Sequence, residues 1–119
     1  MGYSRQLLSG TPASGRVIPV VAVATPGTLI HLAVAGAIPN ADELYLWASN
    51  VTGANALLTI EWGGVLDPGD HIVKQFLIPA NSPPIPIVTG EIINGALNVR
   101  AFSSVASAIN ISGYVNRLS

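Results

Sequence analysis

The sequence has no cysteine and very few charged residues. Without cysteine the chain can form no disulfide and no thiolate metal site, and it has no cysteine nucleophile. Five basic and six acidic residues make up only 9% of its 119 residues, whereas a soluble domain has about 25%. A folded monomer of this mass exposes about 6,000 Å², so large areas of its surface carry no charge. We therefore expect part of the surface to be buried against other chains.

The basic residues are too few and too scattered to form a nucleic-acid site. The formal net charge is −1, and the basic residues are Arg5, Arg16, Lys74, Arg100 and Arg117. Binding to a phosphate backbone requires a concentrated basic patch, so we expect no nucleic-acid partner. Residues 17–41 carry no charge, but proline interrupts them three times. A membrane-spanning helix needs about 20 consecutive apolar residues, so we expect no membrane partner.

The apolar residues follow the two-residue period of β-strands. Leu44 and Leu46 alternate with Tyr45 and Trp47, and similar alternation recurs along the chain between turns that contain Gly and Pro. The pattern predicts about eight short strands, at residues 17–24, 28–35, 43–50, 56–63, 71–78, 85–89, 96–103 and 108–115. Such a series is typical of a sandwich or a small barrel.

We expect one all-β domain over residues 16–119, a single jelly-roll-like β-sandwich of antiparallel strands. Residues 1–15 are small, polar and turn-prone, so we expect an extended N-terminal arm that is flexible or lies on a neighbouring chain. Pro86 lacks the N–H that a central strand needs, and we expect its strand at a sheet edge. Asn94 and Gly95 are typical of a hairpin turn.

The sequence contains little that is typical of an active site. His31 and His71 lie far apart in the chain and lack the close spacing of a histidine metal centre. Asp67, Asp70 and His71 form the densest polar cluster, but aspartates on either side of Pro-Gly are ordinary turn residues. No Gly-x-Ser-x-Gly motif and no glycine-rich phosphate loop occurs. We expect no enzyme activity, no catalytic residue, no cofactor and no metal ion.

Two charged residues stand in the middle of predicted strands. Glu61 lies between Ile60 and Trp62, and Arg100 lies between Val99 and Ala101. If their strands are neighbours, the two side chains can form a cross-strand ion pair; if they face a partner, they can fix the register of that contact. The alternative is that both are solvated on an outer sheet face.

The aromatic residues Trp47, Trp62 and Tyr114 are further candidates for an interface. Aromatic side chains on strands serve as core residues or as anchors of protein contacts. The other interpretation is a sugar-binding platform formed by Tyr45, Trp47, Trp62, Phe102 and Tyr114, but sugar sites need flanking polar groups and the sequence neighbours here are mostly apolar. Arg5, in the predicted arm, is the remaining interface candidate, alongside Glu61 and Arg100.

Four blocks of the sequence resemble a known class of proteins. Residues 43–50, 58–64, 99–102 and 113–117 look like parts of small virion proteins of tailed bacteriophages. In particular, they resemble head decoration, or cement, proteins with a β-sandwich fold, over roughly residues 16–118. The resemblance implies a homotrimer at three-fold positions on the outer capsid surface, made in the host cytoplasm, which clamps neighbouring subunits of the major capsid protein.

The function we expect is therefore structural: a subunit that associates with itself, binds the major capsid shell and stabilises it. One alternative is another phage component of similar fold, such as part of a tail, a connector or a fibre base. The other, from a different class, is a carbohydrate-binding adhesion module.

Overall fold

The chain folds into nine strands and no helix within the part that the structure describes. That structure is a computed structural model, and it describes residues 2–12 and 14–118. The strands are β1 Tyr3–Leu7, β2 Ile18–Pro19, β3 Thr28–Leu32, β4 Ala41–Asn50, β5 Ala56–Trp62, β6 His71–Ile78, β7 Ile85–Ile93, β8 Asn98–Ser103 and β9 Ile109–Leu118. In these residues there is accordingly no helix long and apolar enough to cross a membrane.

The strands form two antiparallel sheets. Sheet A has five strands in the order β1-β9-β4-β7, with β2 also paired to β9. Sheet B has four strands in the order β3-β8-β5-β6. The prediction of an all-β chain with antiparallel strands is confirmed.

The two-residue period of the sequence places one face of each long strand in a shared core. In β4, Leu44, Leu46 and Ala48 are buried, whereas Tyr45 and Trp47 between them are only half-buried. One cluster of buried side chains draws on both sheets, with Leu44, Leu46, Ile109 and Ile111 from sheet A and Ile30, Leu58, Ile60 and Ile78 from sheet B. Burial of each such side chain contributes about 1.5–3 kcal/mol to folding.

The sequence pattern missed β1, which lies inside the segment predicted to be an arm. Tyr3–Leu7 pairs with the last five residues of β9, from Tyr3 opposite Leu118 to Leu7 opposite Tyr114. This pairing joins the two ends of the described chain, so no local sequence pattern indicates it. Residues 1, 13 and 119 of the predicted arm and domain lie outside the described residues.

Two other predicted features differ from the structure in an informative way. The strand predicted at 17–24 is reduced to β2, Ile18–Pro19. Gly95 and Ala96 have positive φ angles of 69° and 56°, which is the geometry of a hairpin turn. The turn nevertheless leads from β7 in sheet A to β8 in sheet B, so it connects the sheets and forms no hairpin.

The edge position of Pro86 is confirmed, because β7 is an outer strand of sheet A. The register of the pairing between β4 and β7 shifts between Leu46 and Trp47, and Trp47 is directly opposite Pro86. A proline and a bulge both discourage further strand pairing, so this edge is poorly suited to continue the sheet.

Candidate interaction surface

The outer face of sheet A carries a cluster of three aromatic rings and one guanidinium group. We name it the aromatic face, and it consists of Arg5, Tyr45, Trp47 and Tyr114. The ring centres of Tyr45 and Tyr114 are 5.0 Å apart with an angle of 16° between their planes. Trp47 lies 6.1 Å from Tyr114 at 28°, and Cζ of Arg5 lies 4.8 Å from the centre of the Tyr114 ring.

Strand register brings these residues together. β9 lies between β1 and β4, and Tyr114 is directly opposite Tyr45 on one side and Leu7 on the other. Directly opposite residues share a sheet face and their side chains touch. Gly113 assists the close approach: its φ is +154°, and a Cβ there would collide with the carbonyl oxygen of Tyr45.

Hydrogen bonds hold the aromatic face in place. Glu43 accepts a hydrogen bond from the Tyr45 hydroxyl at 2.9 Å and another from Nδ2 of Asn116 at 3.3 Å. The hydrogen bond to the Glu43 carboxylate, together with burial, raises the pKa of Tyr45 above its ordinary value. Tyr45 therefore stays neutral and keeps donating this bond well above physiological pH.

The arrangement of the rings is poorly suited to sugars. Arg5 from β1 and Tyr45 from β4 both lie against the Tyr114 ring. Sugar stacking needs an open ring face, whereas here Tyr45 and Trp47 both stack on Tyr114. Tyr, Trp and Arg clustered in this way are typical of the contact points of protein interfaces.

Exposed apolar side chains extend the aromatic face in both directions. Tyr3 and Leu7 share a face of β1 with Arg5 and are 68% and 56% exposed. On the other side, Ile92 of β7 is opposite Glu43 and is 59% exposed. The outer face of sheet A is therefore a broad apolar surface with a polar centre.

Glu61 and Arg100 lie elsewhere, on sheet B. They are directly opposite each other on β5 and β8, as the ion-pair interpretation requires, but among the described residues neither takes part in an ion pair. Both instead bind the same loop residue. Gly27 donates its N–H to Oε1 of Glu61 at 2.7 Å, and Nη1 of Arg100 donates to the Gly27 carbonyl at 3.2 Å. Thr25 also donates its hydroxyl to the Glu61 carboxylate.

Glu61 and Arg100 therefore fasten the loop around Gly27 onto sheet B. Glu61 is fully buried beneath this loop, and a solvated position on an outer face is wrong for it. A Cβ on Gly27 would lie 2.5 Å from the carbonyl oxygen of Ala101, so only glycine allows the loop to approach β8 this closely.

Trp62 is also separate from the aromatic face. It is half-buried and packs against the core.

Near Trp62, the side chain of His71 is only 4% exposed, and neither ring nitrogen has a hydrogen-bond partner. His71 Nδ1 lies 3.5 Å from Oδ1 of Asp67. Within residues 2–12 and 14–118, no three His, Asp or Glu side chains come together so as to hold a metal ion.

A buried polar cluster that the sequence pattern did not reveal joins four distant residues. Asp42 is fully buried and accepts hydrogen bonds from Nε of Arg117 at 2.7 Å and Nη2 of Arg117 at 2.9 Å. His31 Nε2 lies 2.8 Å from Oδ2 of Asp42, and the Val34 N–H donates to the same oxygen at 3.0 Å. On its other side, His31 Nδ1 accepts the N–H of Ser9 at 3.2 Å.

Burial and hydrogen bonding set the charge state of this cluster. Burial lowers the pKa of His31 below its ordinary value, although the hydrogen bond and the charge of Asp42 oppose that shift. Burial alone would raise the pKa of Asp42, but the hydrogen bonds of Arg117 and His31, the charge of Arg117 and the Val34 N–H hold it below its ordinary value. At neutral pH the cluster therefore contains a neutral His31, a charged Asp42 and a charged Arg117.

The order Ser9, His31, Asp42 has the connectivity of a serine-nucleophile triad, but Asp42 and Ser9 each have a further partner. Two hydrogen bonds from Arg117 engage the carboxylate that would have to stabilise a charged His31. Oγ of Ser9, 3.1 Å from His31 Nδ1, also accepts the N–H of Leu32 at 2.7 Å. The cluster thus ties the segment at Ser9 to both sheets.

Three of the six interface candidates named from the sequence, Arg5, Trp47 and Tyr114, come together on the aromatic face. Tyr45, another of the aromatic residues singled out in the sequence, completes it, and Glu43 binds Tyr45 from beside it. The two-residue period could have found Glu43, because it alternates with the core residues of β4. The sequence carried no comparable signal for Ser9 and Arg117, which meet only through long-range pairing. Comparison of the chain with protein families, curated proteins and solved structures gives no match.

Proposed function

We propose that this chain is a structural virion subunit, a capsid decoration or cement protein that associates with itself, as a homotrimer, and binds the major capsid protein on the outside of the shell. We further propose that its two sheets form a β-sandwich of jelly-roll type. The observation that carries the proposal is the aromatic face, a stacked group of Tyr, Trp and Arg side chains on an apolar outer surface.

The distribution of charge supports an assembling subunit. The described residues expose 5874 Å². Of the five basic and six acidic residues, Asp42 and Glu61 are fully buried, which leaves only nine charges for the surface. Among the described residues, sixteen large apolar side chains are exposed. A surface of this kind is more stable in contact with other chains than in water.

The area available is sufficient for more than one contact. A standard protein interface buries about 800 Å² on each partner, so two such interfaces, one to a second copy and one to a shell, would cover about 1,600 Å². That is roughly a quarter of the exposed surface of 5874 Å². A subunit that bridges several shell proteins binds only the assembled shell and thereby stabilises it by mass action. Multiple copies add avidity.

The mass of the protein in solution tests self-association. We expect light scattering coupled to gel filtration to give three times the chain mass of 12.2 kDa. Trp47→Ser should raise the dissociation constant at least tenfold, since Trp is a frequent hot-spot residue. The control is Leu66→Ser, which removes a side chain that is also exposed but lies on the turn after β5.

Four outcomes would contradict the proposal. A wild-type chain that remains monomeric at high micromolar concentration would remove the need for an assembling surface. An equal effect of the Trp47 and Leu66 variants would show that the aromatic face is not the contact. Binding to a glycan array that Trp47→Ala abolishes would favour an adhesion module, and a particle map that places the chain on the tail would favour a tail or connector component.

A further inference from the structure

We propose that Ser9, His31, Asp42 and Arg117 form an acid-sensitive latch that holds the N-terminal segment, residues 3–10, on the protein at neutral pH and releases it when His31 takes up a proton. The cluster connects the N-terminal segment with β3 of sheet B and with β4 and β9 of sheet A. The inference is independent of the proposed function, because it concerns contacts within one chain.

The hydrogen bonds fix the position of the proton on His31. A backbone N–H can only donate, so Nδ1 must be the acceptor for the Ser9 N–H at 3.2 Å. The ring proton is therefore on Nε2, which donates to Asp42 at 2.8 Å. This tautomer uses both ring nitrogens in a site where His31 is only 1% exposed.

Protonation of Nδ1 removes the acceptor that Ser9 requires. The new N–H and the Ser9 N–H are both donors, so the backbone bond of Ser9 to the ring would be lost. The new N–H can turn instead to Ser9 Oγ at 3.1 Å, an oxygen that already accepts the Leu32 N–H at 2.7 Å, so the ring keeps one weaker contact with Ser9 in place of the backbone bond. Two charged groups face His31 from the elements packed against it, Asp42 from β4 and Arg117 from β9. Arg117 already engages the Asp42 carboxylate with two hydrogen bonds, so Asp42 only partly compensates a positive charge on His31.

The N-terminal segment is the part most easily released. Tyr3, Arg5 and Leu7 are exposed, and in this segment only Leu8 and Gly10 are buried. Besides the pairing of β1 with β9, this segment is held by the Ser9 bonds, the Gly10 N–H bond to Ile30 at 2.9 Å, the contact of Arg5 with Tyr114 and the packing of Leu8 in the core. Segments with few buried side chains open at low free-energy cost.

The pH range of release follows from the two states of His31. Burial lowers the pKa of His31 below its ordinary value of 6.5 in the closed state, and removal of residues 3–10 exposes the Nδ1 side of the ring and moves its pKa back toward that value. Opening therefore takes up a proton below pH 6.5, and the fraction open rises up to about tenfold per pH unit until the closed-state pKa is reached. Release would also carry Arg5 away from Tyr114 and uncover one face of that ring.

Hydrogen exchange of the wild-type chain between pH 7.5 and 5.0 tests this latch. After correction for the intrinsic pH dependence of exchange, we expect peptides covering residues 3–10 to lose protection below pH 6.5, while β5 remains protected. In His31→Gln, which stays neutral, protection of residues 3–10 should be independent of pH. The control is His71→Gln, which removes the other histidine and should leave the wild-type pH dependence intact.

If the protection of residues 3–10 in the wild type does not change with pH, the proposal is overturned. It is also overturned if His31→Gln shows the same pH dependence as the wild type. If His31→Gln does not fold, the wild type decides the question by NMR. The amide signal of Ser9 must then change with pH together with the signals of the His31 ring, with a midpoint below pH 6.5. If the two titrate independently, or if the midpoint lies at or above pH 6.5, the proposal is also overturned. Neither measurement depends on whether the chain assembles into a virion.

Discussion

Replacing Arg117 by methionine should destabilise the chain strongly, because Arg117 neutralises a buried carboxylate. Asp42 is buried away from water, and its carboxylate receives two hydrogen bonds from the positively charged side chain of Arg117. Removing one partner of a buried ion pair costs about 3–5 kcal/mol. The Arg117 side chain is 28% exposed, so water partly solvates the pair and we expect a loss near the lower limit.

A loss of about 3 kcal/mol corresponds to a fall in Tm of about 12 °C for a chain of 119 residues. The expected loss also depends on pH. Without the hydrogen bonds and the charge of Arg117, the pKa of Asp42 is higher in the folded variant than in the folded wild type, so the variant loses less stability than the wild type as the pH falls. The difference in unfolding free energy between wild type and variant should therefore shrink on acidification.

Urea denaturation at pH 7 and pH 4.5, at one fixed protein concentration, measures both effects. The matched control is Lys74→Met, which breaks the ion pair of Lys74 with Asp67. That pair has a similar distance of 2.7 Å, but its side chains are 48% and 59% exposed. Solvent screens such a pair, so we expect no measurable shift of Tm. If Arg117→Met were as mild as Lys74→Met, the argument from burial would be refuted.

Three further predictions concern other sites. Gly27→Ala should lower the free energy of unfolding by about 1–3 kcal/mol, because the added Cβ would collide with the β8 backbone. Gly53→Ala, with open space around the added Cβ, should leave it unchanged, and equal melting temperatures of the two variants would contradict this. His71→Phe should leave stability unchanged or raise it, since no hydrogen bond of the ring is lost; a clear drop in Tm would show an unseen partner. Wild-type stability should fall below pH 6.5 as His31, whose folded pKa is lowered, takes up a proton on unfolding, and again below pH 3.8, where Asp42 does the same. A denaturation midpoint that is flat from pH 7.5 to pH 4.5 would refute the His31 shift, and one that is flat from pH 4.5 to pH 2 would refute the Asp42 shift.

The local pattern of apolar and polar residues was sufficient to predict the strands that bury one face. β6 has the bounds predicted from the sequence, His71–Ile78, because a turn with Pro and Gly precedes it and a proline follows it. The alternation in β4 correctly separated Leu44 and Leu46 from Tyr45 and Trp47. In the same strand, Asp42 and Glu43 lie on opposite faces and have different partners.

The same pattern could not describe contacts between strands distant in sequence. The pairing of β1 with β9 depends on a free edge that exists only once the sheet has formed. Glu61 and Arg100 were recognised as unusual, and they are register partners. Their shared attachment to Gly27 depends on how a loop crosses sheet B, which side-chain periodicity does not encode.

The sequence by itself determined the class of the fold and the shortage of surface charge, because composition and a two-residue period are properties of neighbouring residues. Only the tertiary structure decided which strands are adjacent, and with that the stacking of Tyr45 on Tyr114 and the meeting of His31 with Asp42. The physical reason is that strand register is fixed by burying many side chains at once. No local segment carries that information.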